Sequence, residues 1–408
     1  MKFKRLLCGL LLVAMLLTAL VGCADTDINK PEEDTRLNTD YENSNKTRVI
    51  NITDLLADPD DEQSLVRMFV TSNQVELEGI IVSTSCWRQH QDQQGMDVLY
   101  KIIDAYGEVL PNLQIHAEGY PSLEYIKSIS VMGQTGYSMN GVGQGKDSEG
   151  SELIIAAVDE YDDRPVWINL WGGANTLAQA LWKVQNTRSE AEVAKFVSKI
   201  RVYDVLGQDE AGAWIVTNFP DILYIRANLV YGLNHSIQQQ GEGYIKQIQN
   251  LGPLGSVYPT AVWSYEGDSP SFMYQLPTGM NDPEHIDWGS WGGTFCAEKE
   301  PFIRSMDAVL NERDYDPYLM YGDSENNAWD FVNLWGDAIQ NDFLARMIWS
   351  VTDAYSEVNH HPIAVLNEDA TMDILNITVK AGENVKLSAK GSSDPDGDDL
   401  SIIGMFTV

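Results

Sequence analysis

Asp54, Asp58, Asp60 and Asp61 share one short loop, Asp54-Leu-Leu-Ala-Asp58-Pro-Asp60-Asp61. Carboxylates so close together repel one another unless a proton or a cation neutralises them. Their oxygens are hard ligands that suit Ca²⁺ better than Zn²⁺, and the loop holds no His or Cys. The same acids also suit a helix N-terminus, where they would cap backbone N–H groups and meet the positive end of the helix dipole. The flanking elements set where the loop lies. Arg48-Val-Ile-Asn-Ile-Thr53 upstream is a β-rich run, and the segment 63–72 downstream spaces Leu65, Met68 and Phe69 as a helix does. That order puts the acids at the carboxyl edge of a strand, where open parallel sheets bind ligands.

The rest of the chain repeats the order. Strands are expected over 78–84, 166–170, 199–205 and 213–217, and helices over 97–109, 176–184 and 337–355. The alternation predicts an α/β domain over 47–361, a mostly parallel open sheet flanked by helices. The stretch 258–287, rich in Pro, Gly, Ser and aromatics, reads as long surface loops able to carry binding groups. Over 362–408 short alternating runs with Gly382 and Gly391 at turns read as the start of a C-terminal β-sandwich, too few strands to close one.

Charge narrows the partners. Lys and Arg number 27 against 60 Asp and Glu, a formal charge of -33, so the field repels polyanions and nucleic acid is excluded as a partner. Residues 1–22 have the form of an export signal, with Lys2, Lys4 and Arg5 ahead of an apolar run. Leu20-Val21-Gly22-Cys23 resembles the lipobox of bacterial lipoproteins, which implies a lipid on Cys23, attachment to the membrane through it, and a place in the cell envelope. Residues 23–46 are acidic and poor in large apolar side chains, the composition of a flexible tether. Cys86 and Cys296 then remain, either as a pair or as two separate thiols.

Several runs carry a further resemblance. Asp54 with Asp60-Asp61 resembles the N-terminal aspartate signature of inosine-uridine-type nucleoside hydrolases, Asp-x-Asp-Pro-Gly-x-Asp-Asp. The run Thr53-Asp54 to Pro59-Asp60-Asp61-Glu62-Gln63-Ser64-Leu65-Val66-Arg67 is closer to a bacterial family described as cellulose-binding proteins with a nucleoside-hydrolase-like domain. Glu78-Gly79-Ile80-Ile81, Trp171-Gly172-Gly173-Ala174-Asn175-Thr176-Leu177-Ala178, Ser290-Trp291-Gly292-Gly293 and Gln340-Asn341-Asp342-Phe343-x-Ala345-Arg346-Met347 are similar to the same family. Gly391-Ser-Ser-Asp394-Pro-Asp396-Gly-Asp398-Asp399 resembles an acidic turn of the cadherin-like or PKD-like sandwich in its longer members.

The resemblance implies hydrolysis of an N-glycosyl or related glycosyl bond by Ca²⁺-assisted water activation, or else carbohydrate binding on the same fold. By position it implies Asp54, Asp61, the Trp171 carbonyl and Asp342 as metal ligands. Asp54, Asp58 and Asp60 would do the catalysis, and Asp60, Asn175, Trp288 and Trp291 would hold a carbohydrate or nucleoside-like ligand. Trp87, Trp171 and Trp263 are further candidates for stacking on sugar rings. Two positions depart from the hydrolase pattern: Leu56 stands where a second acid follows the first, with Asp58 as its possible substitute, and Asn341 stands where a proton-donating His precedes the late Asp.

Overall fold

The computed structural model describes residues 46–227, 231–299, 317–320, 328–371 and 374–402. The export signal, Cys23 and the tether lie outside the described residues.

Seven parallel strands form one sheet: β1 Arg48–Thr53, β2 Glu76–Val82, β3 Ser130–Met132, β4 Val166–Leu170, β5 Ile200–Val205, β6 Leu223–Ala227 and β7 Tyr318–Leu319, in the order β3-β2-β1-β4-β5-β6-β7. The chain winds outward from β1 to β3, then crosses back to lay β4 on the other side of β1. The helices that follow β1 and β4 lie on opposite faces of the sheet, so the carboxyl ends of these two strands form the switch point at which open parallel sheets bind ligands.

Period-2 alternation assigns the faces. Val49 and Trp167 point into one apolar layer, and Ile50, Ile52, Ile168 and Leu170 into the other. The first layer is covered by α1 Asp60–Thr71, α2 Gln93–His116 and the late helix Ala328–Trp349; the second by Glu149–Asp159 (α4), Asn175–Thr187 (α5) and Ala211–Asn218 (α7). Between them come α3 Leu123–Ser128 and α6 Glu190–Ser198; later in the chain are α8 Tyr231–Gln239, α9 Glu242–Gln249, α10 Gly252–Ser256 and α11 Ser269–Met273, and the late helix is α12. Because both faces of the sheet are covered, β1 and β4 are buried along their whole length. Asn51 and Asn169, paired in register, bridge this dry layer with a 2.8 Å hydrogen bond, and Gln275 closes on Asn169 at 3.1 Å.

Three expectations are corrected. The run 213–217 is part of α7, not a strand. β5 and β6 are parallel neighbours, so the chain between them must cross over, and the Asp209 carboxylate starts the helix by accepting from the Ala211 N–H at 2.8 Å. Nor is 258–287 a surface loop throughout. Ser264, Glu266, Asp268, Ser271, Phe272 and Gln275 are buried against the first layer, and α11 is too short to leave a periodic signal. In the tail, the described residues pair only through isolated bridges, Ile363 with Ser393 and Leu366 with Asp369; no strand forms at 376–380 or 384–388.

Candidate functional site

The acidic loop leaves β1 at this switch point. Asp54 is buried, and its carboxylate accepts a hydrogen bond from the Ser85 hydroxyl on the loop after β2. Thr53 donates its hydroxyl to Asp61. Leu56 adopts a left-handed backbone (φ 78°) within a turn closed by the Ala57 N–H on the Asp54 carbonyl at 3.0 Å. This turn absorbs the added loop length and returns Asp58 to its neighbours: one oxygen each of Asp58, Asp60 and Asp61 lie within 4.8 Å of one another. Asp58 is thus a neighbour in space of the pair Asp60 and Asp61.

The Trp-Gly-Gly run makes the approach possible. A Cβ at Gly172 would lie 2.6 Å from the Asp54 Cβ, and one at Gly173 would lie 2.4 Å from the Thr84 carbonyl and 2.5 Å from an Asp209 oxygen. Only glycine lets three strand-end loops meet so closely.

Asp268, from a distant segment of the chain, adds its charge to that of the acidic loop. It is 3 % exposed and stands at the N-cap of α11, yet its side chain caps nothing. Every group acting on its charge is another carboxylate, Asp54, Asp58 or Glu62. Burial, then Asp268 itself, hold Asp60 and Asp61 well above the usual carboxylate range. Burial raises Asp54 to about 6 against the opposing Ser85 bond, and raises Glu62 to about 7. Among the described residues none of these five acids forms an ion pair with a Lys, Arg or His, and the largest influences on each are burial, hydrogen bonds and other carboxylates. Nor do they serve as caps, since the N-cap of α1 is Pro59 and has no side-chain cap bond. An all-oxygen set of buried, uncompensated carboxylates fits a hard divalent cation such as Ca²⁺.

The other expected residues are placed differently. Trp171 is a core residue whose indole donates to Ser271 at 2.7 Å; its carbonyl accepts from the Gln208 amide at 2.5 Å. Asn175 spends its amide on Thr84, Gly136 and Ser83, at 2.7, 2.8 and 2.8 Å, so it knits loops together rather than facing a ligand. Trp288 is partly exposed and stacks on His285 at 4.2 Å, while Trp291 is half-buried against the core. Trp87 and Trp263 are the more exposed indoles, at 53 % and 81 %.

Asp342 does not close the shell. It pairs with Arg346 at 3.0 Å and with His361, and Arg346 in turn donates to the Val70 carbonyl and to Asn73. Those partners lie at the far end of α1, about 13 Å of helix rise from Asp61. The late aspartate whose charge acts on Asp60 and Asp61 is instead Asp268. Periodicity does not reveal Asp268, because the stretch 258–287 around it has none; the only signal there is a composition able to carry binding groups. The residue before it is Gly267, so the position is again without a proton donor.

A model of the cellulose-binding Sde182 family, nucleoside hydrolase-like domain, matches residues 48–295, more than half of the chain. The chain belongs to this family. A solved structure of a nucleoside hydrolase-related hypothetical protein from Saccharophagus degradans, described as associated with carbohydrate metabolism, is 48 % identical. The match covers 87 % of this chain and 84 % of that one, with a TM-score of 0.81. The type III effector XopQ in complex with adenosine diphosphate ribose matches 75 % of this chain and 95 % of its own at 9 % identity and a TM-score of 0.33, too distant to bear on function. No curated protein matches. The Sde182-type domain here is therefore a nucleoside-hydrolase-like, carbohydrate-associated α/β domain.

Proposed function

We propose that the domain hydrolyses an N-glycosyl or related glycosyl bond of a carbohydrate, with Ca²⁺ held by Asp54, Asp61, Asp268 and the Trp171 carbonyl. The observation that carries this reading is the oxygen-only group of Asp58, Asp60 and Asp61, within 4.8 Å of one another, beside the buried Asp54 and Asp268, with no ion pair to any of them among the described residues. When bound, the cation would neutralise these acids and make a water more acidic. Asp58, half-exposed on the widened loop, is placed to take that water's proton, and Asp60 to hold a sugar hydroxyl. Neither Gly267 nor Asn341 can donate a proton, so the reading commits to a leaving group that departs without one.

Calorimetry with Ca²⁺, followed by a screen of nucleosides and glycosides, tests this reading. Turnover that requires Ca²⁺ and is lost in Asp58→Asn supports it. A second reading, carbohydrate binding without catalysis, is favoured by the exposed Trp87 and Trp263, whose indole faces suit sugar rings; Ca²⁺ and polysaccharide binding with no turnover would select it. A lipid on Cys23 would hold the domain at the cell envelope, and mass spectrometry of the N-terminal peptide beside Cys23→Ala tests that.

A further inference from the structure

The acid pair is followed on α1 by Gln63, Ser64 and Arg67, which share one helix face with Asp60 by their spacing of three, four and seven residues. None of the three side chains hydrogen-bonds an acid of the loop; all three reach one distant segment, 259–269. Gln63 grips it twice, accepting from the Glu266 N–H at 2.9 Å and donating to the Pro259 carbonyl at 3.0 Å. The Ser64 and Ser269 hydroxyls hydrogen-bond each other at 3.1 Å. Arg67 forks onto both carboxylate oxygens of Glu266, which also accepts from Tyr258 at 2.7 Å and Ser269 at 2.9 Å.

Glu266 is fully buried and sits at φ 52°, a left-handed backbone that a side chain rarely adopts and that its surroundings must impose. Asp268 is two residues further on. The Gln340-to-Met347 run supports the same device from behind: Arg67 donates to the Ile339 carbonyl at 3.2 Å and the Gln340 side chain at 3.0 Å, and lies 3.9 Å from the Phe343 ring centre.

We propose that Gln63, Ser64, Arg67 and Glu266 form a positioning clamp that presents Asp268 to Asp54 and Asp61, so that one helix supplies metal ligands at its first turn and fixes the opposing ligand from its second. The clamp rests on the Ca²⁺ reading above. It gives the late motif a role as the brace of Arg67, in place of the ligand role expected for Asp342.

Ca²⁺ titration of the full chain with Glu266→Gln, Arg67→Lys and Ser64→Ala tests it. Glu78→Gln is the control, because Arg48 and Glu78 form a second buried, two-pronged Arg–Glu pair at the opposite end of the sheet. Glu266→Gln is expected to weaken Ca²⁺ binding at least tenfold while still melting cooperatively, Arg67→Lys similarly, and Ser64→Ala a few-fold. Glu78→Gln is expected to lower the melting temperature without moving the Ca²⁺ affinity. Unchanged affinity in all three clamp variants, with affinity lost in Asp268→Asn, would overturn the clamp and leave the metal site standing. Absence of Ca²⁺ binding by the unmodified chain would overturn both. If Glu266→Gln does not fold, the milder Ser64→Ala still decides the sign.

Discussion

At the carboxyl ends of β1 and β4, Asp54, Asp60, Asp61, Glu62 and Asp268 raise one another's proton affinity. At the far end of α1, Asp342 is equally buried, but Arg346 and His361 hold it below the usual carboxylate range. Nearby, Asp396 of the acidic turn pairs with His360, which hydrogen-bonds His116 at 3.1 Å. The two regions use the same residue type for opposite ends. Where the fold supplies a cation, the aspartate is ion-paired and its charged form favoured; where the described neighbours are other acids, the charged form is disfavoured, the condition in which a bound cation has most effect.

The strongest way to break this comparison is to make the same substitution in both regions. Asp342→Asn strands the buried Arg346 and should destabilise by about 3–5 kcal/mol. Asp268→Asn should instead stabilise the metal-free protein at pH 8 by on the order of 1–3 kcal/mol, because it removes an uncompensated buried charge. It should also cost more than about 100-fold in Ca²⁺ affinity, beyond the usual effect of altering an outer-shell partner. Denaturation and calorimetry on both variants decide, and destabilisation of metal-free Asp268→Asn would remove the contrast.

The pH dependence should separate the regions next. Asp54 and Glu62 have folded pKa values raised to about 6 and about 7, so their stabilisation of the metal-free fold is full below pH 4 and is lost as pH rises through 6 to 7. Asp342 is depressed, so its contribution is present above its unfolded pKa and is lost only as pH falls below that range. The metal-free melting temperature should therefore decline between pH 5 and 8, and saturating Ca²⁺ should flatten the decline.

Smaller effects sharpen the picture. Gly172→Ala forces a Cβ against Asp54 and should cost about 1–3 kcal/mol together with weaker Ca²⁺ binding, whereas an alanine at the exposed Gly243 meets no neighbour and should do neither. Trp263→Ala should leave stability within about 0.5 kcal/mol, yet reduce retention on a polysaccharide matrix by a few-fold; unchanged retention would remove the indole from the ligand surface.

Sequence alone determined the α/β class and the acidic loop at the end of β1, because these rest on short-range period and residue type; that Gly172 lets the loop after β4 approach Asp54 is seen only in the structure. The run 213–217 was misread because a β-branched run carries no mark of the crossover that parallel pairing of β5 and β6 demands. Asp342 and Asp268 exchanged roles for a similar reason. Both are late aspartates, and one local feature separates them. Arg346, one helical turn after Asp342, could have warned that its charge was already matched. Only the tertiary structure decided which aspartate adds its charge to the acidic loop, since that depends on Arg67 meeting Glu266 across 199 residues. Charge compensation is a property of three-dimensional neighbours, and it separates a ligand from a strut.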